Sequence, residues 1–279
     1  MDIHELVEGD NKVASLPEIY YELQEVMNDP ESVFNDFAYI IRNDTGLSAR
    51  LLGIVNSAFF GFPARIETIS HAISIVGMDQ LNDLALSTIV MSHFKDIPKE
   101  LIDMNVFWEH SVACGLGARI IAFHQNVPNP ERFFVAGMLH DIGRLVLLMW
   151  APDQAREAME LSASNSLSLH LAERETLGFD HANVGGLLLK AWRLPETHQT
   201  TTTFHHSPLD APFSRFETAA VHMADIIANT LQLGGDQERV SFASLEKVLD
   251  EIQLSEDMLS SVIINSVLTQ HEQMAQAFL

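Results

Sequence analysis

Cysteine is nearly absent. Cys114 is the single one among 279 residues, so no disulfide can close within the chain, in keeping with a reducing compartment. Basic residues are scarce too, 16 Lys and Arg against 38 Asp and Glu, for a formal charge of −22. Such a field repels nucleic acid and anionic lipid at long range and argues against either as the main partner. No alternating strand pattern, internal repeat or low-complexity segment occurs. The opening MDIHELVEGDNK is polar and acidic, not a basic and apolar leader, so a cytoplasmic protein is expected. No basic amphipathic helix suggests a membrane surface. The glycines of VACGLGARI sit in a helical pattern with no strand before them, and so do not form a phosphate loop.

Hydrophobic residues make up 47% and charged ones 19%, the balance of a globular protein with a sizeable core. Helical spacing runs almost throughout, and the expected class is all-α. LPEIYYELQEVMND stops at Asp29-Pro30, SVFNDFAYIIRND follows, and GLSARLLGIVNSAFF ends near the turn Gly61-Phe62-Pro63. Thr68 or Ser70 can cap the next helix, and another runs from Met78 to about Phe94. Asn56 and Ser57 suit backbone bonding at a helix end, with Phe59 and Phe60 anchoring the turn. Trp108, Trp150 and Trp192 read as core or interface anchors, and Gly185-Gly186 as a close helix contact. The tract Thr200–Thr203 reads as a helix surface or fraying edge. Asp96-Ile97-Pro98 marks a boundary between an N-terminal helical lobe, 1–98, and a histidine-rich helical lobe, 99–279.

The stretch FFVAGMLHDIGRLVLLMW, Phe133 to Trp150, is apolar on every side except at His140, Asp141 and Arg144. A helix of that kind is buried in a protein or a membrane. At about 18 residues it barely reaches across a bilayer, and three ionisable groups at its middle argue against that. Inside a fold each needs a partner. Asp141 and Arg144 can pair at i, i+3, and a metal ion is the leading candidate for the rest.

Further histidines share this setting. His110 lies on an apolar face with Val106, Ala113, Gly117 and Ile121, His181 opens a helix behind the N-cap Asp180, and His205-His206 precede Asp225 on another apolar helix. Any one of them alone is an ordinary core histidine. The ordered set H…HD…H…HH…D is not explained by packing. Nitrogen and carboxylate donors suit Mn, Fe, Co, Ni or Zn, and the lack of cysteine ligands disfavours a structural zinc site. Cys114, one turn after His110, reads as packing, and His222 as a core residue or a support for the ligands. A carboxylate such as Asp141 can bridge two cations about 3.5–4 Å apart, a pair suited to phosphoryl chemistry.

This order resembles the HD superfamily of metal-dependent phosphohydrolases, and within it the HD-GYP type. That resemblance implies one divalent ion held by His110, His140, Asp141 and Asp225, and a second held by Asp141, His181, His205 and His206. Fe or Mn is favoured, with Mg, Co, Ni or Zn also compatible. Over residues 12–212 the chain resembles the HDOD family, HD-related output domains, through SLPEIYYELQEVMNDPES, NSAFFG, FWEHS, AGMLHDIGRLVL, ERETLGFDHANVGGLLLKAWRLP and HHSP. The resemblance implies an N-terminal lobe packed on an HD-like lobe, a signalling role, a protein partner and a small phosphoester or nucleotide ligand, with Asp141 and Arg144 in the chemistry. Exposed Phe and Met on so acidic a chain can support an oligomer. The rival implication is a regulatory or interaction module whose metal site is structural or vestigial. Arg144 stands where HD-GYP proteins carry Lys. Ser207-Pro208-Leu209 follows HH where an acidic GYP arrangement is expected, and Val106 replaces an extra Glu, against a third ion and cyclic-dinucleotide specificity.

Overall fold

A computed structural model describes residues 2–8, 15–57, 59–94, 97, 99–234 and 245–279. Residues 12–14 of the expected HDOD stretch, Ala58, and Asp96 and Pro98 of the expected boundary lie outside the described residues. The chain is all-α, and no strand occurs among the described residues. It divides into two compact units, 16–96 with 268–279, and 1–15 with 97–267. A linear partition at Pro98 into 1–98 and 99–279 therefore does not describe the termini, because each end of the chain joins the opposite half.

The unit of 16–96 is built on α2 (Glu18–Asn28), α3 (Phe34–Asn43), α4 (Thr45–Val55), α5 (Ile69–Val76) and α6 (Met78–His93). Their apolar faces enclose Leu23, Phe37, Ile41, Leu51, Ile54 and Leu81, all fully buried. Asp44 ends α3 and caps α4 by accepting the Leu47 N–H at 2.9 Å, and Thr68 caps α5 by accepting the His71 N–H at 3.1 Å. Asn56 clamps the loop after α4. Its amide donates to Ile66 O at 2.8 Å and accepts from Ile66 N–H at 2.7 Å, while Ser57 donates to Ile54 O and Phe59 is buried.

The other unit contains α1 (Ile3–Glu8), α7 (Met104–His124), α8 (Glu131–Leu139), α9 (Ile142–Trp150), α10 (Pro152–Asn165), α11 (Leu169–Leu177), α12 (His181–Ala191), α13 (Glu196–Phe204), α14 (Arg215–Thr230), α15 (Leu245–Glu251) and α16 (Glu256–Met258). After a π turn, α17 (Ile264–Phe278) starts in this unit and finishes in the other. Helix α7 packs on α8 and α14, while α12 packs on α1, α9 and α13. Two glycine crossings bring these helices close. A Cβ on Gly137 would lie 2.6 Å from Gly115 Cα, and one on Gly143 would strike the His181 carbonyl oxygen and lie 2.6 Å from Gly185 N. Side chains at either crossing would force α8 from α7, or α9 from α12.

Two expectations are corrected here. The stretch Phe133–Trp150 is not one helix: it breaks at His140-Asp141, where Asp141 adopts φ −99 and ψ 7 between α8 and α9. The wider segment Glu131–Trp150 is long and apolar enough to cross a membrane, but 89% of it is buried within the fold. The threonine tract is not a surface. Thr200, Thr201 and Thr202 are buried where α13 packs against α12 and α14; the Thr201 hydroxyl meets that of Thr218 on α14 at 3.5 Å, the Thr202 hydroxyl has no hydrogen-bond partner, and half-buried Thr203 donates to Gln199 O at 2.8 Å. Trp108 and Trp192 are buried, while Trp150 is 38% exposed at the end of α9.

Candidate metal centre

Helix ends orient three of the histidines. The last carbonyls of an α-helix have no partner within the helix. His140 follows α8 and donates from Nδ1 to Gly137 O at 2.7 Å; His205 follows α13 and donates from Nδ1 to Thr202 O, also at 2.7 Å. A carbonyl can only accept, so each Nδ1 carries the proton and each Nε2 keeps a lone pair. His181 opens α12 behind the Asp180 N-cap, which accepts the Asn183 N–H at 2.9 Å. Its Nδ1 donates to Glu173 Oε2 at 2.6 Å, and its backbone N–H meets the same oxygen at 2.8 Å.

The inward atoms converge. Asp141 Oδ1 lies 3.2 Å from His181 Nε2 and 3.5 Å from both His140 Nε2 and His205 Nε2. His206 Nε2 lies 2.8 Å from His181 Nε2. Nearby, His110 Nε2 lies 3.1 Å from Asp225 Oδ1, which is 3.8 Å from His140 Nε2. The residues form two groups whose donor atoms all fall within 4.8 Å of one another: His110, Cys114, His140 and Asp225, and then Asp141, His181, His205 and His206. Thus the seven expected ligands are brought together. Cys114, expected to serve packing alone, also brings its Sγ into the first group, because one helical turn places it beneath His110.

Whether these residues fit a cation is decided by the inward atoms. His140 Nε2, Asp141 Oδ1 and His205 Nε2 are buried and have no hydrogen-bond partner. Leaving such atoms unsatisfied costs about 1–3 kcal/mol each. Bonds of about 2.1 Å to a transition-metal ion separate neighbouring donors by roughly 3.0 Å in octahedral and 3.4 Å in tetrahedral geometry. The observed 2.8–3.8 Å brackets both spacings. Chemistry, orientation and spacing all fit a divalent metal.

Electrostatics agree with a site made for positive charge. Burial works against a charged His181, but Glu173 and Asp141 outweigh it and raise its pKa well above the ordinary value. Burial opposes the charged form of Asp141 as well, yet His140 and His181 hold its carboxyl well below the usual range. Asp225 resists burial through His110 and is pushed down to about 2. Burial, then His205 and His181, lowers His206 far below the ordinary histidine value.

Arg144 stands against the same carboxylate from the other side, its guanidinium donating to Asp141 Oδ2 at 3.1 Å. It also lines a small cleft with Glu173, Leu147, Leu148 and Met159. Supporting contacts absent from the sequence reading are Glu173 under His181, Asn229 donating to Asp225 Oδ1 at 2.7 Å, and His170 stacked on His206 with ring centroids 4.0 Å apart. Glu173 lies in the polar run LAERETL, where nothing in the pattern distinguishes it from its exposed neighbours. His222 donates from Nδ1 to His205 O at 2.7 Å, a support for the ligand segment.

The fold is all-helical around a buried His–Asp cluster. The HDOD domain family model matches residues 13–208, and the chain belongs to the HDOD family. An uncharacterized protein of Treponema pallidum (strain Nichols) is 28% identical over 206 residues, which cover 72% of this chain but only 39% of that relative. The fold is shared with an HDOD domain protein of unknown function from Geobacter sulfurreducens, with TM-score 0.84, 22% identity, and coverage of 99% of this chain and 97% of that one. A protein from Shewanella amazonensis SB2B, named as a candidate phosphohydrolase, has TM-score 0.77 and 25% identity over 100% of both chains.

Proposed function

We propose that this chain binds a pair of divalent ions at the buried centre and hydrolyses a phosphomonoester or phosphodiester, a nucleotide being one such substrate, as an output of signal transduction. The observation that carries the reading is the set of inward atoms without partners, His140 Nε2, Asp141 Oδ1 and His205 Nε2, with the carboxylate oxygen at coordination spacing, 3.5 Å, from both nitrogens. The Shewanella protein's name supports the reaction class. His110, His140, Asp141 and Asp225 would hold one ion, and Asp141, His181, His205 and His206 the other, with Fe or Mn favoured. Bound there, such ions supply Lewis-acid polarisation of a phosphoryl oxygen and an acidified water. The chain's own residues do the rest. Glu173 orients His181, Arg144 steadies Asp141 and offers a fixed cation for phosphate charge, and the enclosing apolar helices keep bulk water out.

The test is metal content per chain, together with a phosphoester screen in Mn and Fe, on the native protein and on Asp141→Ala. About two ions per chain, with metal and turnover both lost in the variant, is the expected result. Native metal content in Asp141→Ala would remove the proposed ligand set.

One observation favours a second reading, a regulatory module working through a protein partner. Asp141, His181 and His205 are no more than 1% exposed, and the cleft beside Arg144 has about 20 Å³ of room, enough for one water but not a nucleotide. A metal-loaded chain that hydrolyses no phosphoester, and whose partner binding survives loss of the ligands, would establish that role instead.

A further inference from the structure

The two donor groups are chemically unlike, and Cys114 is the reason. The second group offers three imidazoles and one carboxylate. In the first, the Cys114 sulfur stands 3.4 Å from His110 Nε2, fully buried on α7, while Asp225 closes the group from α14 and His140 from the break after α8. Bonds of about 2.3 Å to sulfur and 2.05 Å to nitrogen at a tetrahedral angle separate S and N by roughly 3.5 Å. The observed contact has that spacing. The cysteine is not alone in pointing to a ligand. His140 Nε2, completely buried, aims into the same group with no hydrogen-bond partner.

We propose that Cys114 is a metal ligand, and that beside His110, His140 and Asp225 it makes the first group select a thiolate-seeking ion, Zn or Fe(II), over Mn or Mg. The inference rests on reading the buried cluster as a metal centre. Thiolate donors favour those ions, and a coordinating thiol gives its proton to solvent. The arrangement accounts for Asp141. Its Oδ1 lies 3.2 Å from His181 Nε2 and 3.5 Å from His140 Nε2 while its Oδ2 accepts from Arg144, so the bridging carboxylate reaches the first group through one oxygen and Cys114 adds a soft donor beside it. With the bridging Asp141, five protein donors leave a four- or five-coordinate ion no open position, the mark of a structural site. Any exchange of water or phosphate then belongs to the second group.

The experiment is titration of the full chain with Co(II), read by absorbance and by competition with Zn. The native protein is expected to show a thiolate-to-cobalt charge-transfer band in the near ultraviolet. Cys114→Ser and Cys114→Ala should lose the band and bind the ion more than about 100-fold more weakly, beyond the range seen for supporting residues. His206→Ala, which alters only the second group, should keep it. Because the native spectrum decides the question alone, a variant that misfolds does not blunt the test. Co(II) bound without the band overturns the thiolate ligand and leaves the metal centre standing. A well-folded chain that takes up neither Co(II) nor Zn overturns both.

Discussion

Replacing Glu173 tests whether the second group is a prepared binding site or a set of histidines packed together by chance. Glu173 is 3% exposed, and its Oε2 receives both the ring Nδ1–H of His181 at 2.6 Å and the backbone N–H at 2.8 Å. Hydrogen bonds to a charged acceptor contribute about 1.5–3 kcal/mol each. Glu173→Ala leaves both donors buried without a partner and is expected to destabilise the fold by roughly 3–6 kcal/mol on that basis. It also frees the His181 ring, which the carboxylate holds with Nε2 inward. Partners of this kind change metal affinity about 10–100-fold, equivalent to roughly 1.4–2.8 kcal/mol. Glu173→Gln separates the two effects. Its amide oxygen can still accept both bonds, so folding should be largely kept while the loss of charge weakens the imidazole as a donor. The assay is a denaturant midpoint on each metal-free variant, followed by competitive metal titration under folding conditions. The expected order of affinity is native, then Gln, then Ala. A folded Ala variant with native metal affinity would refute the argument, because His181 would then need no orienting carboxylate.

Gly143→Ala should push α9 from α12, since its Cβ would strike the His181 carbonyl and lie 2.6 Å from Gly185 N. Overpacking of this kind costs about 1–3 kcal/mol, and because Asp141 precedes α9 and His181 opens α12, metal uptake at the second group should fall with the denaturation midpoint; unchanged values in both would sink the idea. His198 makes a separate prediction about acid. Burial, helped by the positive charge of Arg132, lowers its pKa from 6.5 to about 4. Between those values the unfolded chain takes a proton that the folded one refuses, so stability present above about pH 6.5 is lost as pH falls toward 4, by about 3 kcal/mol at 1.36 kcal/mol per unit. Denaturant midpoints across that range should show a slope that His198→Gln flattens, and an equal slope in the variant would assign the acid sensitivity elsewhere.

Much of the site was legible in the sequence because a buried charge must be explained. His140, Asp141 and Arg144 stood out against FFVAGMLHDIGRLVLLMW, and Asp180 announced the start of α12 and so the position of His181. What the sequence hid was contact between distant elements. Cys114 among alanines and glycines has the pattern of a packing residue, and only the approach of α14 and the His140 break shows what its sulfur faces. Glu173 lies on a polar helix whose burial depends on where α12 folds back. The break at Asp141 was also hidden, since hydrophobic residues continue unbroken across it. The threonine tract misled for a related reason. Its buried members face α12 and α14, with the Thr201 hydroxyl meeting that of Thr218 at 3.5 Å, so polarity alone does not mark a surface.

The break explains how the ring of His140 is held. His140 and His205 follow helix C-termini, where carbonyls lack helical partners, and each ring satisfies one with Nδ1 while turning Nε2 inward. A histidine in the middle of a helix has no such carbonyl to use. His110 is of that kind: it lies inside α7, and its Nδ1 has no hydrogen-bond partner. Its inward atom is placed by Asp225, which Asn229 holds at 2.7 Å, and by Cys114 one turn below. His140 of the first group and His181 and His205 of the second therefore have ring orientations set by backbone and carboxylate before any ligand arrives, a rigidity that catalytic sites require. His110 and Cys114 depend instead on neighbouring side chains, which an ion would draw together. Preorganisation thus extends into both groups through His140, His181 and His205, and what sets the first apart is the thiol of Cys114 beside His110.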